Sequence, residues 1–253
     1  MSGDLTRAAP VDPAAELDRL AALYRAAGGP GMRVLTMLGG RAEGLLDRLP
    51  PELRGGLGAA TERALALSMR AAQGSRGAIP DQPAWVDTAV TTALGAAGGF
   101  GGLPGALVEL PATTTMLLRS IQGVAAQEGF DPAAGNVQFD CIRVFAAAGP
   151  LAGDDGADLG FLTLRLTLTG GAMQKLIASV SPRLAASLGR KLAAQSVPLL
   201  GAVAGAGTNY LYTRYYQQMA QVHFGLRRLA IDADIPHAEL VAGLAARMGT
   251  ALR

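Results

Sequence analysis

The sequence predicts an all-α fold, a multi-helix globular domain, and three observations carry that prediction. Apolar residues recur at the 3.6-residue spacing of helices along most of the 253 residues. The gaps between these runs hold capping residues, prolines and glycine pairs, which are the starts and stops of helices. Only residues 161–169 alternate like a strand, through Leu162, Leu164, Leu166 and Leu168, and no second convincing strand exists to pair with them. A lone strand leaves its backbone unsatisfied, so this segment is read as helix as well.

In order along the chain, Asp12-Pro13 puts a capping carboxylate ahead of a proline at the first helical position, where the missing N–H costs nothing. Leu17, Leu20, Ala21 and Tyr24 then share a face, and Gly28-Gly29 stops the helix. Pro30 opens a second segment with Leu35, Leu38, Leu45, Leu46 and Leu49 on its apolar side, ended by Pro50-Pro51. Leu53, Leu57, Ala60, Ala64, Leu67 and Ala71 form the stripe of the next helix. Residues 73–83, rich in Gly, Pro and Ser, read as a linker. They divide an N-terminal helical layer, residues 1–80, from a helical core, residues 81–253, within one continuous domain. A helix through Leu117, Leu118, Ile121, Val124 and Ala125 ends at Gly129, and Asp131-Pro132 repeats the cap-then-proline device. Val137, Cys141, Val144 and Ala148 line the following helix up to Gly149-Pro150. Ser181-Pro182 caps another helix, Pro198 opens the next, and the last carries Leu240, Val241, Leu244, Ala245, Met248 and Leu252.

Composition excludes several classes. Half the residues are hydrophobic while 17% are charged and 5% aromatic, so the chain is not intrinsically disordered. Cys141 is the single cysteine, which rules out an intramolecular disulfide and a cysteine-cluster zinc site. A net charge of +2 gives no field for nucleic acid. Residues 1–10 lack the apolar run of a signal peptide; with the unpaired thiol, the expected location is the cytoplasm, at or away from the inner membrane.

Two blocks carry a family resemblance. The first is Gly98-Gly-Phe-Gly-Gly-Leu-Pro104, followed by Glu109-Leu-Pro-Ala-Thr-Thr-Thr-Met-Leu-Leu-Arg-Ser-Ile121 and Gly129-Phe-Asp131. The second is Lys191-Leu-Ala-Ala-Gln195 with Val197-Pro198 and Gly201-Ala-Val-Ala-Gly-Ala-Gly-Thr-Asn209. In this order, over residues 84–230, the chain resembles the EcsC family of bacterial proteins, named for a partner in an ABC transporter operon. The resemblance implies an all-helical protein, cytoplasmic or membrane-peripheral, with an ABC-transporter-type membrane partner and no established activity.

Catalytic motifs are mostly absent from the sequence. No G-x-S-x-G elbow occurs, and only His223 and His237 are available as imidazole bases. His223 reads as a satisfied core histidine and His237 as part of a capping turn near Asp234. The glycine-rich run of residues 95–105 lacks the Gly-Lys-Ser/Thr ending of a phosphate loop. Asp154-Asp155-Gly156 lacks the other ligands of a calcium loop. No catalytic residue, metal or cofactor is assigned.

A polar intrusion is more informative. Lys191 follows Leu184 by seven residues and so returns to within about 20° of its direction, on the face of Leu188 and Leu192. Gln195 falls on the same face. A buried lysine needs an anionic partner, and Glu109 is the natural one; Arg119 and Arg165 sit in similarly apolar surroundings, and Asn209 and Arg214 complete the set. These residues form either a structural ion-pair network that fixes helix crossings or a charged pocket for an anionic head group or small ligand. A hydrolase-type enzyme built around Glu109 and Lys191 is the alternative to a binding module.

Two uncharged intervals, between Asp87 and Glu109 and between Lys191 and Arg214, are long enough to cross a bilayer as helices. Each contains a proline and consists largely of Gly, Ala and Thr. Gly95/Gly99 and Gly201/Gly205 have the small-xxx-small spacing of close helix contacts. The expected arrangement is two close-packed Gly-rich helical hairpins, buried in the domain and able to open toward lipid or a membrane partner. Tyr210, Tyr212, Tyr215 and Tyr216 beside Arg214 read either as an interfacial belt or as ordinary core residues. Arg190, Lys191, Arg214, Arg227 and Arg228 flank the second interval as candidates for anionic surfaces. The function expected is a membrane-peripheral accessory or binding module that holds a lipid, an amphiphile or a membrane partner.

Overall fold

The capping pair opens the first helix as read. Asp12 Oδ1 accepts from the amide of Ala14 at 2.9 Å, and α1 spans Pro13–Ala27. A computed structural model describes residues 11–33, 51–146, 174–178, 181 and 200–249. The further helices are α2 (Pro51–Ala78), α3 (Ala84–Phe100), α4 (Gly102–Gln127), α5 (Gly135–Ala146), α6 (Leu200–Asp232) and α7 (His237–Met248). No strand occurs among the described residues, and the fold is all-α. The strand-like segment 161–169 lies outside them, as do Arg165, Lys191 and Gln195. Asp12→Ala is expected to lower stability by about 1 kcal/mol, the usual worth of an N-cap, readable by urea unfolding.

α6 is the axis of the molecule. At 33 residues it is about 50 Å long, and both hydrophobic clusters are built on it. One joins Leu65 and Met69 of α2, Leu118 and Ile121 of α4, and Ile142 and Phe145 of α5 to Tyr216, Met219 and Phe224 of α6. The other packs Leu17, Leu20 and Ala21 of α1 with Leu240, Val241 and Leu244 of α7 against Val222, Leu226 and Leu229. α3 lies along the N-terminal half of α6 and beside α4.

Four readings need correction. In α2, Leu67 is 59% exposed, and the buried side is Thr61, Leu65, Ser68, Met69 and Ala72. The helix is rotated by about one position from the stripe read in the sequence. α2 also runs on to Ala78, through the first half of the supposed linker, because Arg119 of α4 closes its end. That guanidinium donates to Ser75 Oγ at 2.6 Å, to the Ile79 carbonyl at 2.5 Å and to the Pro80 carbonyl at 3.0 Å. Asp131 accepts from the Ala133 amide at 2.9 Å, capping a turn that precedes α5, which starts only at Gly135. Finally, the tyrosines are not a belt. Tyr212 and Tyr216 are buried, Tyr215 is half-buried, and Tyr216 stacks on Phe145 with centroids 5.0 Å apart. Only Tyr210 faces out.

Candidate functional site

The site begins where two glycine pairs meet. α3 and α6 cross antiparallel with Gly95 against Gly205 and Gly99 against Gly201. A Cβ at Gly95 would stand 2.7 Å from both the Gly205 carbonyl carbon and Asn209 Nδ2, and one at Gly99 would stand 2.8 Å from the Ala202 nitrogen. Backbone touches backbone here, which only residues without a side chain permit. The first uncharged interval is therefore not one long helix. It breaks at Gly101 into the α3–α4 hairpin, where a Cβ on Gly105 would lie 2.6 Å from the Gly98 carbonyl oxygen. No helix among the described residues is long and apolar enough to cross a membrane. Of the second interval, residues 191–199 lie outside the described residues, so a second hairpin is not on view.

Beneath the crossing runs a polar seam. Asn209 Nδ2 donates to the Thr91 carbonyl and to Glu109 Oε1, both at 2.8 Å, and lies 3.2 Å from Thr113 Oγ1. Thr113 donates its hydroxyl to the same Glu109 oxygen. The Thr91 and Thr213 hydroxyls are 2.7 Å apart, and Gln217 Nε2 reaches the Ala84 carbonyl at 2.8 Å and Ser120 Oγ at 2.9 Å. Buried polar groups at this density need such partners, and here they tie α3, α4 and α6 into one unit. Asp87 is buried at the head of the seam, and burial pushes its carboxyl above the usual range, against the opposing pull of Ser120 and Arg119.

Of the residues singled out from the sequence, Glu109 and Asn209 meet in this seam. Arg119 does not join them; it holds the end of α2. Arg214 is exposed on the outer side of α6. Arg165, Lys191 and Gln195 lie outside the described residues, and so does the expected Glu109–Lys191 pair. Sequence reading missed Thr91, Thr113, Thr213 and Gln217. A signal for them was present: Asn209, Thr213 and Gln217 are four residues apart on one face of the helix.

A second buried charge cluster also escaped notice. Asp140 of α5 accepts from Arg227 Nη1 at 2.5 Å through Oδ2 and from Arg143 Nη1 at 3.4 Å through Oδ1, with His223 Nε2 3.3 Å from Oδ2. The Arg227 guanidinium also lies 4.4 Å from the centroid of the Phe130 ring. Burial works to raise the Asp140 pKa, but the His223 hydrogen bond and the neighbouring positive charges outweigh it and hold the carboxyl low. Burial pushes the His223 imidazole below its ordinary value, opposed by Asp140, and pushes the Cys141 thiol up. The cluster clamps α5 to α6 away from solvent. Among the described residues, no group of three or more His, Cys, Asp or Glu is placed to hold a metal ion.

On the outer side of the α3–α6 crossing lies an open groove of about 560 Å³, lined by Trp85, Thr88, Ala89, Thr92, Ala93 and Ala96 of α3 and by Tyr210 and Arg214 of α6. Helical spacing continues the same face to Phe100 on α3 and to Val203 on α6. Trp85 is 71%, Phe100 65% and Val203 76% exposed. Thr88 and Thr92 turn their hydroxyls onto the carbonyls of their own helix, Ala84 and Thr88, at 2.9 and 2.7 Å. The floor is thus methyl groups, and the charge on the lining is that of Arg214.

No curated protein and no solved structure matches the chain. The sequence model of the EcsC protein family matches residues 81–229. That span runs from just before α3 through nearly all of α6, and so takes in the glycine crossing, the polar seam, the Asp140 cluster and the groove. With more than half of its length matched over the whole of this machinery, the chain belongs to the EcsC protein family.

Proposed function

We propose that this EcsC-family protein is a membrane-peripheral binding module that lays the α3–α6 face on lipid. The observation that carries the reading is the largely apolar face on which Trp85, Phe100, Val203 and Tyr210 stand exposed around an alanine floor. Exposed apolar patches of this kind mark interaction surfaces, and aromatic rings suit the level of the head groups. Burying roughly 100 Å² on each of these four side chains is worth about 10 kcal/mol at about 25 cal/mol per Å², before the cost of association. Among the flanking cations, Arg227 is held by Asp140 and Arg228 by Asp232. Arg214 is thus the exposed cation that lines the groove, and the attachment is chiefly apolar. A cytoplasmic protein at the inner membrane, beside an ABC-transporter-type partner, is the setting the family resemblance implies. The hydrolase alternative needs a base open to water beside a nucleophile, whereas Glu109 is buried and engaged by Thr113 and Asn209.

Flotation of the whole protein with vesicles of phosphatidylcholine and phosphatidylglycerol tests the reading. The protein is expected to float, and a variant with both Trp85→Glu and Phe100→Glu is expected to lose at least tenfold in partitioning, since carboxylates are poorly tolerated below the head groups. Both positions are exposed, so the variant should melt within a degree or so of the parent. Undiminished flotation of the double variant would rule out this face.

A further inference from the structure

Resting on that reading of the α3–α6 face, we infer that the groove is a binding slot for one long-chain fatty acid, with its carboxylate at Arg214 and its chain running toward Phe100. The groove is polarised along its length. Because α3 and α6 are antiparallel, Arg214 and Tyr210 lie toward the Trp85 end, and that end holds the guanidinium, the phenol and the indole N–H. The opposite end is Ala96, Phe100 and Val203, with no hydrogen-bonding side chain. Thr88 and Thr92 donate inward, so the floor between the two ends offers methyl groups to a chain.

Size and charge narrow the occupant. From Trp85 to Phe100 the helix rises about 22 Å, the scale of a long acyl chain. The groove volume of about 560 Å³ is on the scale of one such chain with its head. Arg214 is exposed with no hydrogen bond or ion pair to any described residue, and no acidic side chain lines the groove. A planar guanidinium takes a carboxylate through two parallel hydrogen bonds. An anionic head therefore completes a charge that the fold leaves open.

Trp85 is the single tryptophan of the chain, so intrinsic fluorescence of the whole protein reads the slot directly. Titration with palmitate, kept below its aggregation limit, is expected to shift the emission to the blue and to saturate at one per chain. Hexadecanol, the same chain without the charge, is expected to bind about tenfold more weakly, the worth of a charge-assisted hydrogen bond at a partly exposed site. Arg214→Gln is expected to weaken palmitate about tenfold and leave hexadecanol unchanged, while Arg214→Lys recovers part of the loss. Equal affinity for acid and alcohol, or a palmitate affinity unmoved by Arg214→Gln, would overturn the inference. So would a blue shift that follows protein concentration instead of palmitate, which would make a second copy of the chain the occupant. Flotation on vesicles without saturable palmitate binding overturns the slot and leaves the membrane reading standing; loss of both removes both.

Discussion

Replacing Gly99 by alanine is expected to cost about 3 kcal/mol or more, at the upper end of what overpacking does. The added Cβ would fall within contact of the Gly201 carbonyl and 2.8 Å from the Ala202 nitrogen. A Cβ has no rotamer in which to escape, and its neighbours are backbone, so α3 and α6 must separate along their length. Separation also lengthens the Asn209–Thr91 and Thr91–Thr213 hydrogen bonds, which compounds the cost. The higher helix propensity of alanine returns only about 1 kcal/mol. Gly207→Ala, on the same helix with nothing within 4 Å of the new atom, isolates that propensity gain and should stabilise by about 0.5–1 kcal/mol. Urea unfolding of the two variants should therefore move in opposite directions. A neutral Gly99→Ala would mean that the crossing is looser than the backbone contact requires.

The second large effect belongs to Asp140. Asp140→Ala removes the common partner of Arg143, Arg227 and His223 and leaves the two guanidinium charges inside the fold without their carboxylate, an expected loss of about 3–5 kcal/mol. The same cluster makes stability depend on pH in a defined direction. His223 titrates below its ordinary value in the folded state because it is buried, so the unfolded chain takes up the proton first as pH falls through about 6.5. Stability therefore drops from about pH 6.5 down toward the folded-state pKa. Asp140, held low, adds stability above the ordinary carboxylate pKa that is lost as pH falls through its own depressed value. His223→Gln should flatten the first of these declines and, because His223 helps to hold Asp140 low, weaken the second. A stability profile unchanged by His223→Gln between pH 7 and 5 would show that the imidazole titrates alike in the folded and unfolded chain, against the lowering that its burial implies.

What the sequence made legible were the elements that decide themselves locally. Asp12-Pro13 caps α1 wherever it packs, and Leu117, Leu118, Ile121, Val124 and Ala125 leave α4 one possible inner face; all five are buried. The glycine spacings were also readable, although nothing local says that Gly95 should meet Gly205 or Gly99 meet Gly201. Where the reading failed, a distant residue had decided. α2 has few large apolar side chains, so two rival stripes differ little in the sequence, and contact with α4 selects Leu65, Met69 and Ala72 and leaves Leu67 in solvent. Arg119 lies some 40 positions away from the α2 end that it closes. The Tyr216 ring is inside with Phe145 of α5 stacked on it and Tyr212 edge-on beside it, and no window around the tyrosines contains Phe145. Asp140 draws its cations from two helices, and within its own stretch only Arg143 hints at the cluster.

The glycine crossing also fixes what the groove can do in time. Sliding α3 by one turn along α6 would bring Gly95 against Gly201 but would leave Gly99 facing beyond the start of α6, with the Asn209 and Thr213 hydrogen bonds undone. Intermediate shifts press alanine or leucine into a gap that accepts only backbone. The two helices are thus keyed at a single register, and the walls of the groove are as rigid as that key. A site built in this way is open before anything arrives. A ligand entering it orders little protein, so association should proceed without a slow closing step, and selectivity among chains should come from length and head charge, because the walls have no other shape to take.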